Sequence, residues 1–345
     1  MAEKDTIRKL YEKYQSMTTL TDDCEASYIK SGSVIFDQVL SEGRGLPVGT
    51  WIQLTSESGC GKTHLVLHVA KAMCARGKKV VYLDDEKGVN PSQLKGIGLD
   101  KFLGTQFYLF PLATFEEAEE VLDGVIEDPD LGLIVIDSIT GLIPEKMIEN
   151  SVSSCEPGLQ ARYASSFLVK YRAKISRTEA KPTVILVNQQ RTKISFRGVT
   201  TVGEAGGNAQ KYYTDIRLMM KEDKALEKTI DTMEGRKAVK YGSNALIWAT
   251  KNRHAPPFVQ GMLTIIFGKG VSNLAAYQRV LMSQGVLKMS GAGFWTLSLP
   301  GHEDKKARGS EGVLTLVKDN LDVIKQYVED NGGFKLVKTE EETDE

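Results

Sequence analysis

Eight consecutive residues, Ser56-Glu57-Ser58-Gly59-Cys60-Gly61-Lys62-Thr63, have the types and spacing that cradle a nucleoside triphosphate. A glycine-bearing turn offers successive backbone N–H groups to phosphate oxygens, and a following helix N-terminus adds more. Lys62 would reach the β- and γ-phosphates, and the Thr63 hydroxyl would hold Mg²⁺. The neighbouring residues supply the elements this needs. The run Thr50-Trp51-Ile52-Gln53-Leu54 reads as a strand, and Leu65, Val66, Val69, Ala70 and Met73 have helical spacing. The strict pattern asks for glycine five residues before Gly61, where this chain has Ser56. Gly59, inside the loop, is the residue free to take a positive φ instead.

Three further residues end apolar runs in ways that suit the same chemistry. Asp137 closes Leu133-Ile134-Val135-Ile136 and is placed to ligate Mg²⁺ through water, although strand-end aspartates also serve as caps. Glu86 follows Tyr82-Leu83-Asp84-Asp85. It reads equally as a base for the attacking water or as part of a solvated acidic turn. Gln189, in Asn188-Gln189-Gln190-Arg191, could sense a γ-phosphate. Beyond it, residues 190–207 lack hydrophobic periodicity, carry Arg191, Lys193 and Arg197, and lead into Gly206-Gly207-Asn208. Such a long structureless segment is expected to be functional, with its order set by the nucleotide. His64 and His68 stand four apart on the helix after the loop; without a third ligand they read as a packed or solvated helix face.

These residues need a sheet to hold them. Strand-like runs at 50–55, 79–84, 132–137 and 183–188 are continuously apolar and β-branched, as parallel strands buried on both faces require. Runs at 214–220, 245–250 and 263–267 read as antiparallel additions, and helices are expected at 62–76, 114–127 and 158–177. The pattern is α/β and doubly wound, with ligands beyond the carboxyl ends of the strands. An amphipathic helix over residues 4–17 must pack either on its own core or on a neighbouring subunit. The organisation expected is an N-terminal helix and linker (1–30), an ATPase core (31–268), a small C-terminal α+β domain (269–337) and an acidic tail (338–345).

With 41% hydrophobic and 26% charged residues, the composition is that of an ordinary globular protein. No apolar run is long enough to span a membrane, so no membrane partner is expected. Cys24, Cys60, Cys74 and Cys155 lack paired spacing and read as free thiols in a reducing cytoplasm. A net charge of −1 argues against nucleic acid only until the five acidic residues of 339–345 are set aside, which takes the remainder to +4.

The segments Ser56–Thr63, Tyr82–Glu86, Val135–Ser138, Leu186–Lys193, Gly206–Tyr213 and Thr250–Phe258 resemble, in order and spacing, those of the RecA family of homologous-recombination ATPases. The resemblance covers nearly the whole chain. It implies a RecA-like P-loop NTPase core with a mostly parallel central sheet, an N-terminal polymerisation helix and a small α+β C-terminal domain. It also implies ATP and Mg²⁺ as cofactors. By the same resemblance, Glu86 activates water, Gln189 senses the γ-phosphate, and Lys251 and Arg253 reach the neighbouring subunit's ATP. Ser56, Glu57, Ser58, Gly59, Cys60, Gly61, Lys62, Thr63, His64, Asp137 and Phe267 would surround the nucleotide. Pro157, Gly158, Arg162 and Ser165 would form a first DNA-binding loop. Arg191, Thr192, Lys193, Ile194, Arg197, Gly206, Gly207 and Asn208 would form a second.

The partners implied are single- and double-stranded DNA and further copies of the chain in a helical filament. The setting implied is the bacterial cytoplasm, with a phage-encoded origin equally open. The function implied is ATP-dependent homologous pairing and strand exchange in recombinational repair. A helicase motor and an ATP-switched filament regulator share the core and are the alternatives.

Overall fold

The computed structural model describes residues 28–149, 158–194, 200–204, 212–232, 235–331, 333–334 and 337–338. The expected N-terminal helix, Pro157, Arg197, Gly206, Gly207, Asn208 and residues 339–345 of the expected acidic tail lie outside these residues; Lys338, expected to open that tail, belongs to a strand instead.

In chain order, β1 (Tyr28–Ile29), α1 (Val34–Ser41) and β2 (Leu46–Pro47) lead into β3 (Trp51–Ser56) and α2 (Lys62–Cys74). There follow β4 (Lys79–Asp84), α3 (Pro91–Ile97), β5 (Phe107–Phe110), α4 (Phe115–Val125), β6 (Leu131–Asp137), α5 (Glu145–Glu149) and α6 (Leu159–Ile175). The chain continues through β7 (Thr183–Ile194), β8 (Thr200–Glu204), β9 (Ile216–Thr232), β10 (Gly235–Lys251), β11 (Val259–Ile266) and β12 (Gly270–Val271). Among the described residues the central sheet runs β12-β11-β10-β9-β3-β7-β6-β4-β5. Strands β9, β3, β7, β6, β4 and β5 are mutually parallel.

The continuous apolar runs are explained by burial on both faces. Val80, Tyr82, Val135, Ile185 and Val187 pack with Leu65, Val69 and Met73 of α2 on one side. Val81, Leu83, Ile134, Ile136 and Leu186 pack with Phe115 of α4 and with Phe167 and Tyr171 of α6 on the other. A period-two strand with helices on both sides has no polar face to show. After β12, α7 (Asn273–Ser283), a three-stranded antiparallel sheet of β13 (Leu287–Met289), β14 (Phe294–Leu297) and β15 (Lys305–Arg308), α8 (Gly309–Asp319) and α9 (Leu321–Asp330) enclose a third apolar cluster. Tyr277, Leu281, Leu287, Leu297, Val313 and Ile324 form its centre. The last strand, β16 (Val337–Lys338), returns to β11.

Two expectations are corrected. β9 is not an antiparallel addition: it starts beside β3, with the Asp215 N–H donating to Trp51 O at 2.8 Å, and runs parallel to it. Of the three runs expected to be antiparallel, those in β10 and β11 are: β10 pairs antiparallel with both β9 and β11. The segment after Gln189 is also not structureless. β7 continues to Ile194 and pairs antiparallel with β8, Gln190 opposite Glu204 and Ile194 opposite Thr200. A ladder fixes this backbone where side-chain periodicity is missing, because main-chain groups pair whatever the side chains are.

Candidate functional site

The loop after β3 is shaped by two glycines. Gly59 has φ 80° and Gly61 has φ 92°, both left-handed. A β-carbon on Gly61 would also come within 2.8 Å of Ile265 Cδ1, so this position excludes side chains twice over. Ser56, which stands where the strict pattern has glycine, is the last residue of β3 and fully buried. It needs no special φ, and its Oγ accepts from Lys62 Nζ at 2.9 Å. The Ser56 and Glu57 carbonyls accept from the same ammonium at 3.2 and 2.9 Å. Burial lowers the Lys62 pKa, against the pull of Cys60, Asp137 and Glu86. α2 opens at Gly61 with no side-chain cap, so its first N–H groups face the cleft as donors for an anion.

The carboxylates are placed by adjoining strand ends. Asp84 and Asp137 are paired in register across β4 and β6. The Asp137 carbonyl accepts from the N–H groups of Asp85 and Glu86 at 2.9 and 3.4 Å. Asp84 then closes the turn by accepting from Gly88 N and Val89 N at 3.2 and 3.1 Å. This turn brings Glu86 Oε1 to 2.5 Å from Gln189 Nε2. The Asp137 carboxylate accepts from Thr63 Oγ1 at 3.1 Å and from Tyr82 Oη at 2.6 Å, both on Oδ2. Burial raises its pKa to about 6, and Glu86 and Asp84 add to the shift.

The cleft, of about 270 Å³, is lined by Ser58, Gly59, Gly61, Lys62, Thr63, His64, Glu86, Gly88, Gln93, Asp137, Gln189 and Phe267. Three residues expected around the nucleotide do not line it. Ser56 lies beneath Lys62, Glu57 offers its carbonyl to that lysine, and Cys60 is buried in the apolar core. His64 packs on Phe267 with ring centroids 5.4 Å apart, and burial lowers its pKa. His68 instead meets the Gly32 carbonyl and the Val271 N–H. The two imidazoles therefore serve separate contacts. Cys60 and Cys74 are free thiols, and burial pushes Cys74 up to about 12.

Lys251 and Arg253 are not at this cleft. Lys251 ends β10 and Arg253 lies two residues beyond it, at the opposite end of the sheet, where Lys251 Nζ donates to Thr214 O at 2.6 Å. Arg253 Nη1 meets Asp215 Oδ1 at 2.8 Å, and Arg172 and the Trp51 N–H also bind that aspartate. From Trp51 to Ser56 the strand covers about 17 Å at ~3.3 Å per residue. Gly158 (φ 74°) caps α6, with Arg162 exposed and Ser165 half-buried in its first two turns. Gln160 ties this helix start to the carbonyls of Thr140 and Leu142, both at 2.9 Å, just beyond β6. The backbone of Arg191, Thr192, Lys193 and Ile194 continues β7 past Gln189. Sequence reasoning assigned no role to Tyr82, Gly88, Gln93 or Asp215. Only Tyr82 carried a signal: a phenol two residues before a strand-end aspartate, within an otherwise aliphatic run.

The raised Asp137 pKa has a sign that can be checked. A carboxyl whose folded pKa rises from 3.8 to about 6 contributes stability below pH 4 that is lost as pH rises through 6. Asp137→Asn, without ligand and in EDTA, should therefore raise Tm more at pH 7.5 than at pH 5. An equal shift at both values would show that Asp137 ionises without cost.

A glycine-bearing loop between β3 and α2, with Asp137 at the end of the parallel strand β6, one strand removed from β3, defines the P-loop class of α/β folds. Residues 2–272 match the family described as RecA N-terminal domain. The chain is 31% identical over 294 residues to Protein RecA of Gloeobacter violaceus, covering 85% of this chain and 74% of that one. It is 31% identical over 319 residues to Protein RecA of Saccharopolyspora erythraea, covering 92% and 86%. The crystal structure of the RadB recombinase aligns with a TM-score of 0.49 at 21% identity, over 70% of this chain and 98% of that one. The chain belongs to the RecA family.

Proposed function

We propose that this protein is an ATP- and Mg²⁺-dependent recombinase that assembles on single-stranded DNA and carries out homologous pairing and strand exchange. The observation that supports this most directly is the double use of β7. One strand carries Gln189, hydrogen-bonded to Glu86 in the nucleotide cleft, and from the next residue to its end at Ile194 pairs with β8. A change at the phosphate end would be felt in the hairpin through covalent backbone.

The donor set fits the cofactors. Uncapped α2 N–H groups and Lys62 suit phosphates, and Thr63 with Asp137 would hold the magnesium ion. Magnesium, when bound, supplies neutralisation of the charge developing on the transferred phosphoryl group. Glu86 Oε1 would accept the proton of the water that attacks the γ-phosphorus, with the nucleoside diphosphate as leaving group, and Gln189 would sense the γ-phosphate. Lys251 and Arg253 would complete the cleft of an adjacent copy. The Gly158–Ser165 helix start and the β7–β8 hairpin both lie beyond the carboxyl ends of the strands. Together they would hold DNA phosphates and leave bases free to pair.

A strand-invasion assay tests the reading. Displacement-loop formation requiring ATP and homologous single-stranded DNA is expected, whereas unwinding without it would favour a helicase motor and assembly without either a regulator. In the same preparation, Lys193→Ala with Arg197→Ala should reduce the salt slope of single-strand binding by about 1–2 units, at ~0.7 per phosphate contact. An unchanged slope would move the DNA path off this hairpin.

A further inference from the structure

Tyr82 is a phenol with 0% exposure, in the middle of β4, whose hydroxyl is spent on one acceptor. Its Oη lies 2.6 Å from Asp137 Oδ2. The sheet register explains the contact. Tyr82 is paired with Val135, which puts Asp137 diagonally across from it on the same face. An aromatic side chain spans such a diagonal where an aliphatic one stops short. The ring is itself fixed, packed edge-on against Phe107 with centroids 6.1 Å apart. Asp137 Oδ2 thus takes two hydroxyl donors. Thr63 belongs to the phosphate loop and is needed there when nucleotide arrives, whereas Tyr82 belongs to the rigid sheet and is not.

We propose that the Tyr82 hydroxyl is a positioning donor that holds the Asp137 carboxylate ready for the divalent cation accompanying a nucleoside triphosphate. The inference rests on the nucleotide reading above. Buried at 3% exposure, Asp137 has few other ways to keep its orientation when Thr63 is engaged elsewhere. Fixed by a hydroxyl already in place, the carboxylate meets the cation without a search through rotamers. Removing such an outer partner of a metal ligand costs about 10–100-fold in metal affinity.

Tyr82→Phe deletes one oxygen and keeps the ring that packs on Phe107, so the fold is retained. The full chain is titrated with free Mg²⁺ at a fixed concentration of a fluorescent ATP analogue, and binding of the analogue is also measured in EDTA. The Mg²⁺ midpoint should rise about tenfold or more in Tyr82→Phe, with affinity in EDTA within about twofold of wild type. A purely structural role would lower Tm and weaken both measurements together, and that outcome overturns the proposal, as does an unmoved midpoint. Wild-type protein that binds no analogue with or without Mg²⁺ would remove the nucleotide reading itself, which the other outcomes leave standing.

Discussion

Lys251→Ala should bind nucleotide as wild type does and yet turn it over about 10³–10⁵-fold more slowly, the contribution of a cation supplied in trans to phosphoryl transfer. The two halves of this expectation come from one geometric fact. The phosphate loop stands at the carboxyl end of β3, and Lys251 donates to Thr214 O beside the amino end of β9. A lysine side chain cannot cross that span to its own cleft, so its loss leaves nucleotide binding intact. Mixed with wild type, the mutant should poison activity, because each mutant subunit deprives an adjacent cleft of its cation. Activity falling only in proportion to the wild-type fraction would mean that each site is complete within one chain. Asp215 belongs to the same argument. Bound to Arg253, Arg172 and the Trp51 N–H, it keeps the Arg253 guanidinium at this end of the sheet.

Glu86→Gln separates binding from chemistry at the other end. An amide oxygen can still accept from Gln189 Nε2, so the link to β7 and nucleotide-dependent assembly should survive. Hydrolysis should fall about 10²–10⁴-fold, the usual contribution of a general base. Single-turnover hydrolysis measured beside nucleotide binding reads both. Turnover at the wild-type rate would return Glu86 to the solvated acidic turn that its neighbours Asp84 and Asp85 also allow. Lys62→Ala, by contrast, should lose binding and turnover together, since that ammonium stands among the loop carbonyls where the phosphates would lie.

The phosphate loop and the parallel strands β3, β4, β6 and β7 were legible in the sequence because each is a local pattern, whereas the parallel edge strand β5 was not foreseen. Glycine spacing reports backbone conformation, and unbroken β-branched runs report burial on both faces. What escaped depends on pairing across distance. The direction of β9 is set by where Asp215 meets Trp51, which no window of sequence contains. The hairpin after Gln189 is held by a ladder and carries no periodicity to announce it. Residues 221–232 and 235–244 gave no strand signal either, yet β9 and β10 stay paired along them beyond the last β3 contact at Met220. Tyr82 showed its type in the sequence, but only the register of β4 on β6 makes it a neighbour of Asp137. The Ser56 departure is also resolved by structure: the position is extended strand, and serine there gives Lys62 an acceptor that glycine could not.

The separation of the two halves of the site has a consequence for counting. Under the proposed reading every subunit has one end that receives a cation pair and one that donates it. Contacts of this kind are head-to-tail and join unlike surfaces, so they propagate along an open series unless the rotation closes a ring. In an open series of n subunits only n − 1 clefts are complete. Two joined subunits share one working cleft, and the subunit at one terminus always holds nucleotide it cannot process. Specific activity then depends on the number of ends as well as on the amount of protein. Breaking long assemblies into short ones, with every bond inside each subunit untouched, would be a form of inhibition.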